Sequence, residues 1–189
     1  MRKIRDILDL VCNFLNENSI NYVIVGGIAV LFYGNPRTTM DIDCVIQIDD
    51  INIPPLVKFL QDNDFFADEE DMRAAFKERS HCTVEDKGTM FRLDIKGVYD
   101  EMDERTIKNK KMVKLDNIVI YIASPEDTIA NKLLFHREQD VNDAQGIYTR
   151  QYDALDMEYL EKVCEKLGVR DALFDLKKKY EMHGKNEPV

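Results

Sequence analysis

The stretch that decides the fold is VIVGGIAVLFYGNPRTTMDIDCVI, residues 23–46. It sets two adjacent glycines, Gly26 and Gly27, at the end of an apolar run, and two aspartates, Asp41 and Asp43, inside the next one. Glycine loses more backbone entropy on folding than any other residue. A carboxylate in an apolar strand is expensive to desolvate unless something pairs with it. Neither choice serves structure alone, so the stretch marks a candidate site.

Working outward, Tyr22 to Val25 reads as a short β-branched strand and residues 27–33 as a helix that begins at the glycines. Gly34-Asn35-Pro36 breaks that helix, and Ile42 to Ile48 reads as a second strand. A strand that runs through Gly-Gly into a helix brings bare N–H groups to the positive end of the helix, which suits a phosphate. The plainer reading is a tight strand-to-helix turn. Side chains alternate along a strand, so Asp41 and Asp43 point to one face, roughly 7 Å apart between Cα atoms. Like charges that close repel unless a cation lies between them, and a hard ion such as Mg²⁺ prefers such oxygens. The alternative is a solvent-facing strand edge, but Asp49-Asp50 already reads as the solvated turn at the strand's end.

A third acid stands in the same setting, Asp94 within Phe91-Arg92-Leu93-Asp94-Ile95. If that strand lies beside 41–48, three carboxylates converge. Three acids can hold two metal ions, which activate an attacking oxygen and steady a leaving pyrophosphate. Asp94 could also take the proton of the attacking hydroxyl.

The rest of the chain supports a mixed architecture. Residues 3–16 repeat apolar positions at helix spacing, and Ile53-Pro54-Pro55 starts a helix through Leu60. Residues 68–79 are charged with a weak helical period. His81–Val84 and Phe91–Ile95 read as strands flanking a turn at Asp86-Lys87-Gly88, and Met112–Leu115 with Ile118–Ile122 as a hairpin turning at Asp116-Asn117. Ser124-Pro125-Glu126-Asp127 has a cap, a proline in first position and an acid three residues after the cap. From there the chain reads as helices over 125–136, 142–149, 157–167 and 170–181, with a frayed tail from His183. The expected fold class is α+β: a small mixed sheet flanked by helices over 1–123, then a helical region over 124–189 packed on that core.

Composition narrows the function. The 189 residues are 44% hydrophobic and 33% charged, with a formal net charge of −10. No apolar run approaches the roughly 20 residues that span a bilayer, and Asp6 and Asp9 interrupt any signal-like start, so a cytoplasmic location and no membrane partner are expected. The acidic balance argues against broad duplex DNA binding and fits a site that gathers cations. Cys12, Cys44, Cys82 and Cys164 form no CxxC pair and read as reduced, mostly buried thiols. No HExxH, GxSxG or GxxxxGK[ST] is present, which removes zinc proteases, α/β-hydrolases and P-loop enzymes.

The pattern Val25-Gly26-Gly27, thirteen residues, then Asp41-Ile42-Asp43, with Asp94 on a later strand, resembles the DNA polymerase β-like nucleotidyltransferase superfamily. The resemblance implies transfer of a nucleoside monophosphate from an NTP to a hydroxyl-type acceptor, with Mg²⁺, two ions by the family's pattern. Asp41, Asp43 and Asp94 would be the metal and catalytic residues, and Gly26 and Gly27 would admit the triphosphate. Arg37 reads either as a phosphate ligand or as a loop arginine paired with an acid. Ser124-Pro125-Glu126-Asp127 followed by Lys132 and Asp143 is similar to the AbiEii-type toxin nucleotidyltransferases. That likeness implies Lys132 on the triphosphate, Asp143 supporting it, and an antitoxin as partner. The acceptor itself, RNA, protein or small molecule, is left open. Lys108, Lys110, Lys111 and Lys114, and Lys177 to Lys179, are either a local RNA track or solvated ends of elements. His136 lies one turn beyond Lys132 and reads as a surface residue or a neighbour of the same site. The alternative function is a nucleotide-binding or protein-binding module that keeps the fold without the chemistry.

Overall fold

The structure is a computed structural model that describes residues 2–115 and 118–184. The expected turn at Asp116-Asn117 and the tail from residue 185 lie outside the described residues. The chain forms two compact units, one of residues 1–28 and 38–123, the other of residues 29–37 and 124–189.

The first unit is built on a mixed seven-stranded sheet. Its strands are β1 (Asn21–Val25), β2 (Asp41–Gln47), β3 (Phe65–Phe66), β4 (His81–Asp86), β5 (Arg92–Gly97), β6 (Lys111–Leu115) and β7 (Ile118–Ile122), in the order β3-β4-β5-β2-β1-β7-β6. β2 runs parallel to β5 and antiparallel to β1. Strict alternation gives the sheet two unlike faces. One face carries the buried Ile42, Cys44, Ile46, Leu93, Ile95, Cys82 and Val84. The helix α1 (Ile4–Glu17) buries Ile7, Leu8, Val11 and Leu15, and α3 (Ile53–Asp62) buries Leu56, Val57 and Leu60. Phe14 of α1 stacks on Phe59 of α3 with ring centroids 4.1 Å apart.

The opposite face is only partly covered. There Ile107 of α5 (Glu101–Lys108) packs with Val23, Val45 and Ala123, with Val25 and Val98 beside them. Sequence periodicity missed α5, which has too short an apolar stripe, but its capping signal was readable. Asp100 accepts from the Asp103 N–H, three acids fill the first turn, and Arg105 and Lys108 lie in the last. The two-residue β3 was also missed, being too short for any pattern. The charged segment 68–79 resolves as α4 (Glu69–Lys77), capped by Asp68. The four cysteines are buried thiols. Burial raises the Cys12 thiol to about 12 and Cys44 well above the ordinary thiol value, so both stay neutral.

The second unit holds α6 (Pro125–Phe135), α7 (Glu138–Gln151), α8 (Met157–Lys166) and α9 (Arg170–Lys179), together with residues 29–37. The latter include most of α2 (Gly26–Tyr33). Reading along the chain leaves residues 29–37 with the sheet, whereas in the structure Val30 packs with Ile129, Leu133, Ile147, Leu160 and Leu173. The helix expected over 142–149 is longer, because its first turn is polar and escapes an apolar pattern. Among the described residues, no helix is long and apolar enough to cross a membrane.

Candidate active site

The three aspartates lie on the partly covered face of the sheet. In the parallel register Asp43 pairs with Asp94 and Asp41 with Arg92. In the antiparallel register on the far side, Thr83 pairs with Asp94 and Glu85 with Arg92. Paired residues on neighbouring strands share a face, so Asp43, Asp94 and Thr83 form one row and Asp41, Arg92 and Glu85 the next. The rows sit at the start of β2 and β5, beyond the apolar patch covered by α5. Asp41, Asp43 and Asp94 are each intermediate in exposure.

Gly26 borders this row. It takes a left-handed φ of +61°, and a Cβ there would stand 2.0 Å from the Asp43 Oδ2. Its register neighbour Val25 pairs with Asp43 across β1 and β2. The glycine is therefore required on two independent counts: a backbone conformation that L side chains rarely adopt, and room for the Asp43 carboxylate. Gly27 is buried in the first turn of α2.

Two side chains that sequence reasoning passed over hold the acids. Arg92 donates from Nε to the Asp41 Oδ1 at 2.8 Å, and its second nitrogen lies 2.7 Å from the same oxygen. The hydrogen bond to Asp41, then the charge of that carboxylate, raises the Arg92 pKa above its already high value. Thr83 donates its hydroxyl to the Asp94 Oδ1 at 2.5 Å, the length of a hydrogen bond to an ionised acceptor. The alternation that puts Asp94 on this face also puts Arg92 there, so that residue was readable in principle. Thr83 was not, because only the β4–β5 register brings it to Asp94.

The donor set suits a hard divalent cation, since it is made of carboxylate oxygens on one face. Among the described residues, however, no group of three His, Cys, Asp or Glu side chains is gathered as a ready-made metal site. One oxygen of Asp41 is spent on Arg92 and one of Asp94 on Thr83.

The other residues singled out from sequence stand in the second unit and are joined to one another. Arg37 donates to both carboxylate oxygens of Asp143, at 2.9 Å and 3.1 Å. The Lys132 ammonium lies 2.9 Å from Asp143 and 2.7 Å from Asp140. The Asp143 side chain is only 5% exposed and that of Lys132 14%. The exposed Arg137 lies 3.9 Å from Asp140 as well, so three cations meet the two carboxylates. Asp140 was not singled out, although its place three residues before Asp143 puts both on one helix face.

The Ser124-Pro125-Glu126-Asp127 segment starts α6 as its pattern predicts, with the Ser124 hydroxyl accepting from the Asp127 N–H at 3.0 Å. Its acids are buried as well. Asp127 accepts from the Tyr159 hydroxyl at 2.9 Å, and Glu126 from the Asp156 N–H at 2.9 Å, which ties down the start of α8. His136 is exposed at the C-terminal end of α6. Of the basic stretches, Lys110 turns onto the Tyr121 ring at 4.1 Å and donates to the Tyr22 carbonyl, and Lys177 pairs with Glu161.

No curated protein is significantly similar to the chain in sequence. Solved structures share its fold. An antigenic nucleotidyltransferase-like protein from Paracoccidioides brasiliensis superposes with a TM-score of 0.56 at 17% identity, over 90% of each chain. The lincosamide antibiotic adenylyltransferase LnuA, bound to lincomycin, gives 0.53 at 16% identity, over 77% of this chain and 96% of its own. ANT(2")-Ia, in complex with adenylyl-2"-tobramycin, gives 0.57 at 11% identity, over 87% of this chain and 96% of its own. These likenesses establish the nucleotidyltransferase fold expected from the glycine and aspartate spacing. The sequence itself matches, over residues 2–183, the family described as "Nucleotidyltransferase of unknown function (DUF6036)", and the chain belongs to that family.

Proposed function

We propose that the chain transfers the nucleoside monophosphate of an NTP to a hydroxyl-type acceptor, with the acid face of the sheet as its active site. The observation that carries this reading is the register of β2 and β5, which sets Asp43 beside Asp94 and Asp41 two residues back on one accessible face. Asp41, Asp43 and Asp94 would hold Mg²⁺, two ions if the family pattern applies in full. The bound metal would supply charge to the phosphates and to the attacking oxygen. Asp94 is the residue we assign to accept the proton of the acceptor hydroxyl, through the oxygen not held by Thr83. Gly26 keeps the chain clear of Asp43, and the start of α2 at Gly26-Gly27 offers N–H donors to the triphosphate.

A small hydroxyl-bearing acceptor fits better than a long RNA, because the net charge is −10 and the face itself is rich in carboxylates. The neighbours named as an antibiotic adenylyltransferase and as a complex with an adenylylated antibiotic have the same fold, which supports that choice. The toxin-type role and its antitoxin partner rest on the segment 124–127 with Lys132 and Asp143. Those side chains bond to one another inside the second unit.

The test is label transfer. The full chain is incubated with each α-labelled NTP, Mg²⁺ and acceptor mixtures of small alcohols and aminocyclitols, total tRNA or protein. Transfer of label with release of pyrophosphate, absent from Asp43→Ala with an unchanged melting curve, is expected. Label transfer retained in Asp43→Ala would overturn the assignment.

A further inference from the structure

Resting on the nucleotidyltransferase reading of the acid face, we infer that Arg92 is the resident counter-ion of that face and competes with the divalent cation for Asp41. The observations are local and concrete. Arg92 places two guanidinium nitrogens on a single oxygen of Asp41, at 2.8 Å and 2.7 Å. It stands in the same row as Asp41 and one row from the paired Asp43 and Asp94. Without a cation, three carboxylates on adjacent positions repel, and Arg92 is placed to relieve part of that repulsion. The Arg92 and Asp41 side chains are 47% and 35% exposed. An ion pair that open to water is weak, so a divalent ion can displace it. The same charge that settles the three carboxylates therefore works against metal binding, and a metal held by Asp41 would release Arg92 toward solvent or toward a phosphate.

This assignment differs in sign from a positioning role. An arginine that aims Asp41 at the metal would strengthen metal binding, and its removal would weaken it. A competing arginine does the opposite. Binding of Mn²⁺ alone, without nucleotide, to the full-length chain should be measured calorimetrically for the wild type, Arg92→Gln and Asp43→Asn, with Arg92→Lys as a charge-keeping control. Arg92→Gln is expected to bind Mn²⁺ roughly two- to fivefold more tightly, the range of an exposed ion pair. In chelator it is expected to melt earlier than the wild type, with the difference closing as Mn²⁺ is added. Arg92→Lys should stay near the wild type, and Asp43→Asn should lose binding. Unchanged or weaker binding by Arg92→Gln, with the wild type still dependent on Asp43, overturns the counter-ion role alone. Absence of binding by both the wild type and Arg92→Gln overturns the metal-dependent reading of the face, and this inference with it.

Discussion

Two groups of charged side chains in this molecule look alike in the sequence and differ in the structure. On the sheet, Asp41, Asp43 and Asp94 share an accessible face, with Arg92 bonded to Asp41. Among the helices, Asp140 and Asp143 are mostly buried and meet Lys132 and Arg37, with the exposed Arg137 beside Asp140. The first group lines three carboxylates along a partly open face, which is poor structure and good ligand chemistry. In the second, each enclosed carboxylate is met by a cation, which is how buried charge is tolerated at all. The lesson is that the count of charges matters less than whether they cancel.

The comparison is broken most readily through its buried half. Asp143→Asn removes the charge that meets Arg37 and Lys132 and turns one of the two accepting oxygens into a donor. It should lower stability by about 3–5 kcal/mol, the range for losing one partner of a buried pair, as read by urea denaturation. A loss below about 1 kcal/mol, the range of exposed pairs, would mean that the network is not structural. Gly26→Ala comes next, because its φ is +61° and its new Cβ would meet the Asp43 carboxylate. A loss of about 2–3 kcal/mol is expected from backbone strain, with Mg²⁺-dependent nucleotide binding lost as well because Asp43 must move. The smallest effect has the opposite sign. Asp94→Asn removes one of two like charges in register while leaving an oxygen for Thr83. It should raise stability by about 0.5 kcal/mol, within the range of cross-strand charge pairs, and abolish transfer. A clear loss of stability in Asp94→Asn would place the acid face in the same structural class as the helical network.

Much of this was legible in the chain because it is written in local terms. Gly26-Gly27 after a β-branched run and Asp41-x-Asp43 inside the next one give both the turn and the shared face. The approach of Asp94 to Asp43 was only conditional on strand order, since a parallel pairing across the segment between β2 and β5 leaves no local trace. Glycine 26 was read as clearance for a phosphate, and the structure gives it a second tenant, the side chain of Asp43. The pairing of Arg92 with Asp41 and of Thr83 with Asp94 depends on register, which is a tertiary property. Lys132, Arg37 and Asp143 were each visible as charges, but nothing in their spacing said that they would neutralise one another. The capping pattern at Ser124 fixed the start of α6, while the burial of Glu126 and Asp127 follows from α8 docking on them.

Binding of a nucleotide to the three carboxylates through metal is the property on which the proposed activity depends. Calorimetric titration of each of the four NTPs into the full chain in Mg²⁺, beside Asp41→Ala/Asp43→Ala and beside the wild type in chelator, tests it most directly. The account predicts binding of at least one NTP that requires Mg²⁺ and disappears in the double variant. Binding that survives both chelator and the loss of the two aspartates, or no binding of any NTP by the wild type, would contradict it.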